Sequence, residues 1–220
     1  MSILKACDLA IKGVFSAINL EVSAGECWGI VGGNGAGKST LLATLAGALR
    51  PDHGELLRPA VVAWMPESWP LDPGITGRSW VGLLARLPGW DATLAQRIQT
   101  LLPFPLDSSP EHLSLGQRTR LGLLLSLPRR LPLLLLDDPF LGLDPEARAI
   151  TQQVISDVAG PDHAILIATA DLGSALRLCT HLARLEQGGP LRGAEISVWE
   201  QQAAKAEQSL EALLSQPSKK

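Results

Sequence analysis

The sequence predicts an α/β fold in which helices flank a mostly parallel β-sheet. Two observations predict it. Short apolar segments of strand length alternate with segments of helical periodicity along much of the chain, which is typical of parallel sheets. One strand-like segment, Cys27–Val31, runs directly into a glycine-rich loop, and leucines at helical spacing follow that loop. A strand, a glycine-rich loop and a helix in this order indicate the first unit of an α/β core.

The composition is that of an ordinary globular protein. At roughly 150 residues per domain, 220 residues give one to two domains, and 46% hydrophobic residues are enough for a sizeable core. A net charge of −3 gives no basic footprint for nucleic acid. The three cysteines are widely spaced, which indicates neither a disulfide framework nor a zinc site. We expect no signal peptide and no membrane span, because no apolar run approaches the ~18 residues that a span needs.

The N-terminal elements predict an antiparallel β layer followed by the start of the core. Ile3–Leu9 and Ala17–Val22 are apolar strand-like segments separated by a turn at Lys12-Gly13. After the glycine-rich loop and its helix, Val61–Met65 reads as another strand. We assign residues 1–72 to the first part of the core domain.

Residues 73–130 form an inserted block that we predict to be helical. Prolines and a glycine break regular structure before amphipathic segments at Ser79–Leu87 and Asp91–Leu102. Ser114 is placed to cap a third helix. Trp80 and Trp90 flank the block; such aromatics are core residues in most helices, and a docking surface is the alternative.

The chain then returns to the core, which we assign to residues 131–193. Leu133–Leu136 and Ala164–Thr169 read as buried strands. Pro145 suits the first turn of a helix that runs to about Ala159, and Asp171 is placed to cap the next helix. We predict a C-terminal helix and tail over residues 194–220.

The glycine-rich loop matches the P-loop in the required context, after a strand and at the start of a helix. Glycines let backbone N–H groups surround phosphates, Lys38 supplies a positive charge, and the Ser39 hydroxyl is a ligand for Mg²⁺. The alternative is a glycine turn that binds nothing. The sequence thus predicts a P-loop NTPase with a RecA-like sheet, whose triphosphate contacts Gly32, Asn34, Gly35, Ala36, Gly37, Lys38, Ser39 and Thr40.

Three further motifs narrow the family. A segment with the sequence Leu-Ser-Leu-Gly-Gln lies at residues 113–117, an apolar strand ends in Asp137-Asp138-Pro139, and Leu-Gly-Leu-Asp follows at residues 141–144. In this order the motifs resemble those of the ATP-binding cassette (ABC) ATPases, over roughly residues 3 to 191. The resemblance implies a P-loop domain of the ABC ATPase type with an inserted helical subdomain.

The resemblance also implies roles for individual residues. Asp137 would hold Mg²⁺ together with Ser39 and Glu67. Asp138 would be the base that polarises the attacking water, with Lys38 and Glu67 completing the catalytic set. Two such domains would pair head to tail, as a homodimer or with a different ABC ATPase. Each ATP would then lie between one chain's P-loop and the partner chain's signature sequence, to which this chain would contribute Ser114, Gly116 and Gln117.

Four positions depart from the family pattern. Asp138 stands where the family usually has glutamate, Ala170 where it has the histidine that contacts the γ-phosphate, Glu67 where it has glutamine, and Leu115 where it has glycine. A shorter base and a missing histidine predict a degenerate site that turns ATP over slowly. Phe15 is a candidate for stacking on adenine, and a core position is its alternative.

The function implied by the resemblance is the ATP-binding and hydrolysing subunit of a multi-subunit ABC transporter, of an exporter-like branch. It would bind membrane-embedded transporter subunits as a peripheral protein at the cytoplasmic face of the inner or plasma membrane. Two alternatives stay open. One is an ATP-dependent structural or regulatory ABC subunit, and the other is a soluble ABC switch protein without a transport role. No nucleic-acid partner is expected.

Overall fold

The computed structural model describes residues 1–195 and has two β-sheets with six α-helices. The strands are β1 Ser2–Ile11, β2 Phe15–Ser23, β3 Cys27–Val31, β4 His53–Leu57, β5 Ala63–Met65, β6 Leu133–Asp137, β7 Ala164–Thr169, β8 His181–Leu185 and β9 Leu191–Glu195. The helices are α1 Lys38–Ala46, α2 Gly77–Leu84, α3 Ala92–Leu101, α4 Leu115–Ser126, α5 Pro145–Val158 and α6 Leu172–Leu178, with a 3-10 turn at Pro110–His112.

The smaller sheet is the predicted antiparallel layer, with strand order β2-β1-β4. Leu4, Ile18 and Val22 point inward from β1 and β2 and are fully buried, whereas alternate residues of β2 are exposed. This alternation is expected of an antiparallel sheet with one face on a core. The strand β4 completes the layer; it was not predicted, because its residues are mostly exposed and give no apolar pattern.

The larger sheet is the predicted, mostly parallel one, with strand order β5-β6-β7-β3-β8-β9. Neighbouring strands from β5 to β8 are parallel, and only β9 runs antiparallel to its neighbour. All residues of β6 and β7 are buried, because helices or the antiparallel layer cover both faces. The carboxyl ends of β6, β7 and β3 therefore lie side by side at one edge of the sheet.

The inserted block is helical, as predicted, with shorter helices than the sequence suggested. The helix α3 begins where Asp91 accepts a hydrogen bond from the Leu94 N–H at 3.0 Å. Ser114 caps α4 in the same way, with Gln117 closing a reciprocal pair of hydrogen bonds. Among residues 1–195, none of the helices has the length and apolar run that a membrane crossing requires. The predicted C-terminal helix and tail lie outside the described residues, apart from residues 194 and 195, which belong to β9 instead of a helix.

Candidate functional site

A cleft of about 690 Å³ opens at the carboxyl ends of β3, β6 and β7. Its volume falls within the ~300–1,000 Å³ that is usual for small-molecule sites. The sheet edge brings together loops that are far apart in sequence, as expected of a parallel sheet. The lining residues are Gly13, Val14, Asn34, Gly35, Ala36, Gly37, Lys38, Ser39, Thr40, Glu67, Asp138, Phe140, Leu141, Gly142, Arg148, Thr169, Ala170 and Asp171.

The glycine-rich loop leads into the amino end of α1 at this cleft. Gly37 precedes the helix with φ of 96°, and a Cβ there would lie 2.6 Å from the Val14 side chain. A side chain at position 37 is therefore excluded by conformation and by space. Because the glycine supplies no capping side chain, the N–H groups of the first turn and the positive end of the helix dipole face the cleft. This arrangement favours an anion.

Lys38 is the positive charge of the loop. Its side chain is only 7% exposed, and Nζ donates to the carbonyl oxygens of Gly32 at 2.9 Å and Gly33 at 3.1 Å. Both partners are neutral, so the charge of the ammonium group is not neutralised by them. A buried cation held by carbonyls at a helix amino terminus is suited to bind phosphate oxygens.

Asp137 ends β6 and is 2% exposed; it does not itself line the cleft, but it interacts with the cleft residues Ser39, Asp138 and Glu67. Burial, with a smaller contribution from the charges of Asp138 and Glu67, raises the pKa of the Asp137 carboxyl group to about 6, although a hydrogen bond from the Ser39 hydroxyl lowers it. Its Oδ1 atom is buried without a hydrogen-bond partner among the described residues. A buried carboxylate oxygen without a partner is costly, and a bound cation would remove that cost.

The oxygen ligands near Asp137 fit Mg²⁺, which binds through few protein groups. They do not fit a metal that is held by protein side chains alone. Within residues 1–195, no group of three or more His, Cys, Asp or Glu side chains forms a metal site. Mg²⁺ usually takes only one or two protein carboxylates and fills its remaining positions with phosphate oxygens and water. Asp137 with its unpartnered oxygen and Ser39 meet that requirement, and Glu67 lines the same cleft.

Asp138 follows directly and has an uncommon backbone conformation, with φ of 45°. Its N–H donates to the Ala168 carbonyl at 2.8 Å, which ties the residue to β7. The Thr169 hydroxyl donates to the Asp138 carboxylate at 2.9 Å. Residues other than glycine rarely adopt this left-handed conformation, and those that do are often found at functional sites. The carboxylate is thus held in the cleft by backbone and side chain together.

Several cleft residues were missed by sequence reasoning. Arg148 carries no motif signal. Thr169 directly precedes the departure at Ala170, but the sequence assigned it no role, although its position at the end of a core strand places it at this edge. Phe15 is wrong as the adenine-stacking candidate, because it is 2% exposed and packs from β2 into the hydrophobic core. Its neighbour Val14 lines the cleft instead. Ala170 is exposed there, and none of the four histidines lines the cleft.

The signature residues lie outside this cleft, at the amino end of α4. Ser114 and Gln117 cap that helix through hydrogen bonds of 3.3 and 2.9 Å. Gly116 contacts the loop after β6 so closely that a Cβ would lie 2.4 Å from the Gly142 carbonyl oxygen. Gly142 itself lines the cleft, so the signature helix is packed against one of its walls from outside. Leu115 is 53% exposed beside it.

The two tryptophans of the helical block pack inward. Trp80 is partly buried against the cluster of Leu113, Leu121 and Leu125, and Trp90 packs against the main core. The apolar side chains that this block exposes belong to other residues, including Leu83 at 52%.

Comparison with known proteins places these features in one family. The family profile described as ABC transporter matches residues 15–141. The chain is 36% identical over 174 residues to the cytochrome c biogenesis ATP-binding export protein CcmA of Hyphomonas neptunium, covering 77% of this chain and 90% of that protein. It is 34% identical over 195 residues to the Nod factor export ATP-binding protein I of Burkholderia lata, covering 80% of this chain but 64% of that protein's length.

Solved structures agree on the fold. An ATP-binding subunit of an ABC transporter superimposes with a TM-score of 0.82 at 24% identity, covering 97% of this chain and 100% of that one. A dimeric bacterial ABC transporter cassette gives 0.75 at 19% identity, covering 88% of this chain and 99% of that one. At these identities the likeness shows the fold alone.

Proposed function

The chain belongs to the ABC transporter family of ATP-binding subunits, and from that premise we propose that it binds and hydrolyses ATP for a multi-subunit exporter. One observation carries the proposal. The P-loop, Asp138 and Glu67 line one cleft of nucleotide size, and Asp137 is buried beside Ser39, Asp138 and Glu67. The export function is supported by the relatives, since two of them are named as export ATP-binding proteins.

The loop and the start of α1 would hold the phosphates. Backbone N–H groups from Gly35 to Thr40 would contact the phosphate oxygens, and Lys38 would move from its carbonyl partners toward the β- and γ-phosphates. Gly32, Asn34 and Ala36 shape the turn that this contact needs. The alternative of a glycine turn without a ligand does not account for the burial of Lys38 beside the opening of the cleft.

The carboxylates would have different roles in hydrolysis: Asp137 and Glu67 would bind the metal ion, and Asp138 would act as the base. Bound ATP would supply the γ-phosphate that is transferred to water, and Mg²⁺ would neutralise its charge. Ser39 and Asp137 would hold that ion, with Glu67 reaching it through water. Asp138 would accept a proton from the attacking water, and Lys38 would stabilise the developing negative charge.

Dimerisation would complete the site. Ser114, Gly116 and Gln117 form a capped, accessible helix amino terminus that does not line the cleft of its own chain. In a head-to-tail pair this terminus would face the nucleotide of the partner, where an anion is favoured. The pair would be a homodimer or a heterodimer with another ABC ATPase.

Membrane-embedded transporter subunits are the remaining partners. ABC family membership implies such subunits, and the exposed Leu83 and Leu87 of the helical block supply an apolar surface for them. The chain would then lie peripherally at the cytoplasmic face of the inner or plasma membrane. Leu83→Asp should release the chain from the membrane fraction of its native cells, and unchanged association would exclude this surface.

A second function is favoured by the departures at Asp138 and Ala170. A base shorter by one methylene is displaced by about 1 Å, which costs ~10²-fold in rate in well-studied enzymes. An ATP-dependent structural or regulatory subunit would tolerate that loss. A soluble switch protein without a transport role has no comparable support in the cleft.

Steady-state hydrolysis of Mg-ATP by the purified chain tests the proposal. Lys38→Ala serves as the blank, and Lys5→Ala, at a half-exposed lysine of β1, is the matched control. If the wild type and Lys5→Ala both hydrolyse ATP faster than Lys38→Ala, the result would support an ATPase that works as a homodimer. Turnover at the blank, with nucleotide binding retained, would favour the structural subunit or a heterodimer.

A further inference from the structure

One hydroxyl group at the end of β7 bridges two functional segments of the cleft. Thr169 is 1% exposed, and its Oγ1 atom lies 2.9 Å from the Asp138 carboxylate and 3.0 Å from the backbone nitrogen of Asp171. It is therefore a buried side chain with two defined polar partners, one on β7's own loop and one on the loop after β6.

The two contacts fix the direction of the hydroxyl proton. The Asp171 N–H is only a donor, so the Thr169 oxygen accepts from it. The hydroxyl proton then remains for Asp138, whose Oδ1 atom accepts it. This hydrogen bond occupies one of the two carboxylate oxygens of Asp138 and limits the rotation of the side chain. The other oxygen, Oδ2, is left to accept a proton from water.

The Asp171 side of the bridge is itself held in place. Asp171 accepts hydrogen bonds from the N–H and the hydroxyl of Ser174 at 3.1 and 2.7 Å, and it forms an ion pair with Arg148 of α5. Because these contacts fix the backbone at Asp171, they also fix where the Thr169 oxygen can lie. The bridge thus connects α5 and α6 with the carboxylate of Asp138.

We infer that Thr169 is the positioning residue for Asp138, and that its hydroxyl orients this short carboxylate where position 170 offers only a methyl group. The inference rests on the proposed ATPase function, in which Asp138 accepts the proton of water. Ala170 is exposed in the cleft and has no polar side-chain atom, so it cannot orient a carboxylate. Thr169, the residue before Ala170, donates its hydroxyl proton to the Asp138 carboxylate.

Thr169→Val tests this role, because valine has nearly the shape of threonine without the hydroxyl. A hydrogen bond to a charged group contributes enough that we expect kcat to fall about 10- to 100-fold. KM for ATP and the Kd of a fluorescent ADP analogue should change less than about 3-fold, since Thr169 supports the base and not the P-loop. Thr169→Ser keeps the hydroxyl and should retain kcat within about 3-fold.

Two comparisons separate positioning from a general effect of the substitution. Thr151→Val is the matched control, because Thr151 of α5 is fully buried and its hydroxyl has no partner among the described residues. It should leave kcat unchanged. In an Asp138→Ala background, single-turnover hydrolysis with enzyme in excess should show no further loss from Thr169→Val, because the residue acts through Asp138. If Thr169→Val does not fold, Thr169→Ala replaces it with the same expectations.

The outcomes distinguish this role from the function on which it rests. Wild-type turnover equal to that of Lys38→Ala would overturn ATP hydrolysis by this chain alone, and the positioning role with it. If the wild type hydrolyses ATP measurably and Thr169→Val hydrolyses it at the same rate, the positioning role alone would be overturned. An equal loss from Thr169→Val with and without the Asp138 carboxylate would also overturn it, since the hydroxyl would then act elsewhere.

Discussion

Replacing Asp137 with asparagine should stabilise the metal-free protein while it weakens Mg²⁺-dependent nucleotide binding. Asp137 is buried at the end of β6 beside two other acidic side chains, and its Oδ1 atom lacks a partner. At neutral pH and without a cation, the folded state must therefore hold an unfavourable charge. Asparagine has nearly the same shape and removes that charge, but it is a poorer ligand for Mg²⁺.

The magnitude follows from the pKa of Asp137. Burial is the main cause that raises this pKa from 3.8 to about 6. A difference of that size is worth about 3 kcal/mol between the protonated and ionised forms. Because the asparagine amide still loses hydration on burial, we expect a net gain of about 2 kcal/mol in the free energy of unfolding at pH 7.5. For a chain of this length, that corresponds to a rise of about 4–8 °C in Tm.

Because the pKa of Asp137 is raised in the folded state, the stability of the fold should also depend on pH. The folded state binds the proton of Asp137 more tightly than the unfolded state does, so this group favours folding at low pH. That contribution is lost as the pH rises through about 6. The stability difference between Asp137→Asn and wild type should therefore be largest above pH 7 and should narrow as the pH is lowered toward 4.

Thermal unfolding in EDTA, with and without Mg-ATP, measures both effects. Asp162→Asn, at an exposed acid before β7, is the matched control and should change neither Tm nor the response to Mg-ATP. Asp137→Asn should raise Tm in EDTA and lose most of the additional rise that Mg-ATP gives to wild type. A lower Tm in EDTA would refute the buried-charge reasoning, and an undiminished response to Mg-ATP would refute the metal role.

Three further predictions follow from the same structure. Asp138→Glu combined with Ala170→His should raise kcat for ATP hydrolysis, and an unchanged kcat would contradict the degenerate-site hypothesis. Gly116→Ala should lower turnover without changing the affinity of the chain's own P-loop for ADP, because the new Cβ meets the Gly142 carbonyl at 2.4 Å and displaces the start of α4. Asp91→Ala should lower Tm by about 3–6 °C, because it removes the cap of α3 and an ion pair that together contribute about 1.5 kcal/mol; an unaltered Tm would show that neither contact stabilises the fold.

The fold was predictable where the signal is local. The strand β3, its glycine-rich loop and α1 follow one another in sequence, and β6 and β7 are continuous apolar segments. The strands β4, β8 and β9 were missed because each is interrupted by charged residues and none is a continuous apolar segment; β4 is also mostly exposed. Their pairing depends on neighbours that are distant in sequence, which a single sequence does not record.

The site was predictable to the level of the motif residues and no further. Parallel strands bring their carboxyl ends together, so a sequence argument can place Thr169 near Asp138. The hydrogen bond between them depends on the left-handed backbone of Asp138 and on its tie to the Ala168 carbonyl. No periodicity or spacing carries that information. The ion pair that Arg148 forms with Asp171 joins two helices and was hidden for the same reason.

The two departures in the catalytic region are coupled through this geometry. The backbone of Asp138 is fixed against β7, so its short side chain ends beside the Thr169 hydroxyl. A glutamate on the same backbone would carry its carboxylate about one methylene further into the cleft, which position 170 also lines; the family usually has histidine at that position and this chain has alanine. Aspartate with Thr169 and glutamate with a histidine at 170 are thus two self-consistent pairs. Asp138→Glu alone should lose the threonine contact without gaining the histidine, so the gain in kcat from the double variant should exceed the product of the two single effects.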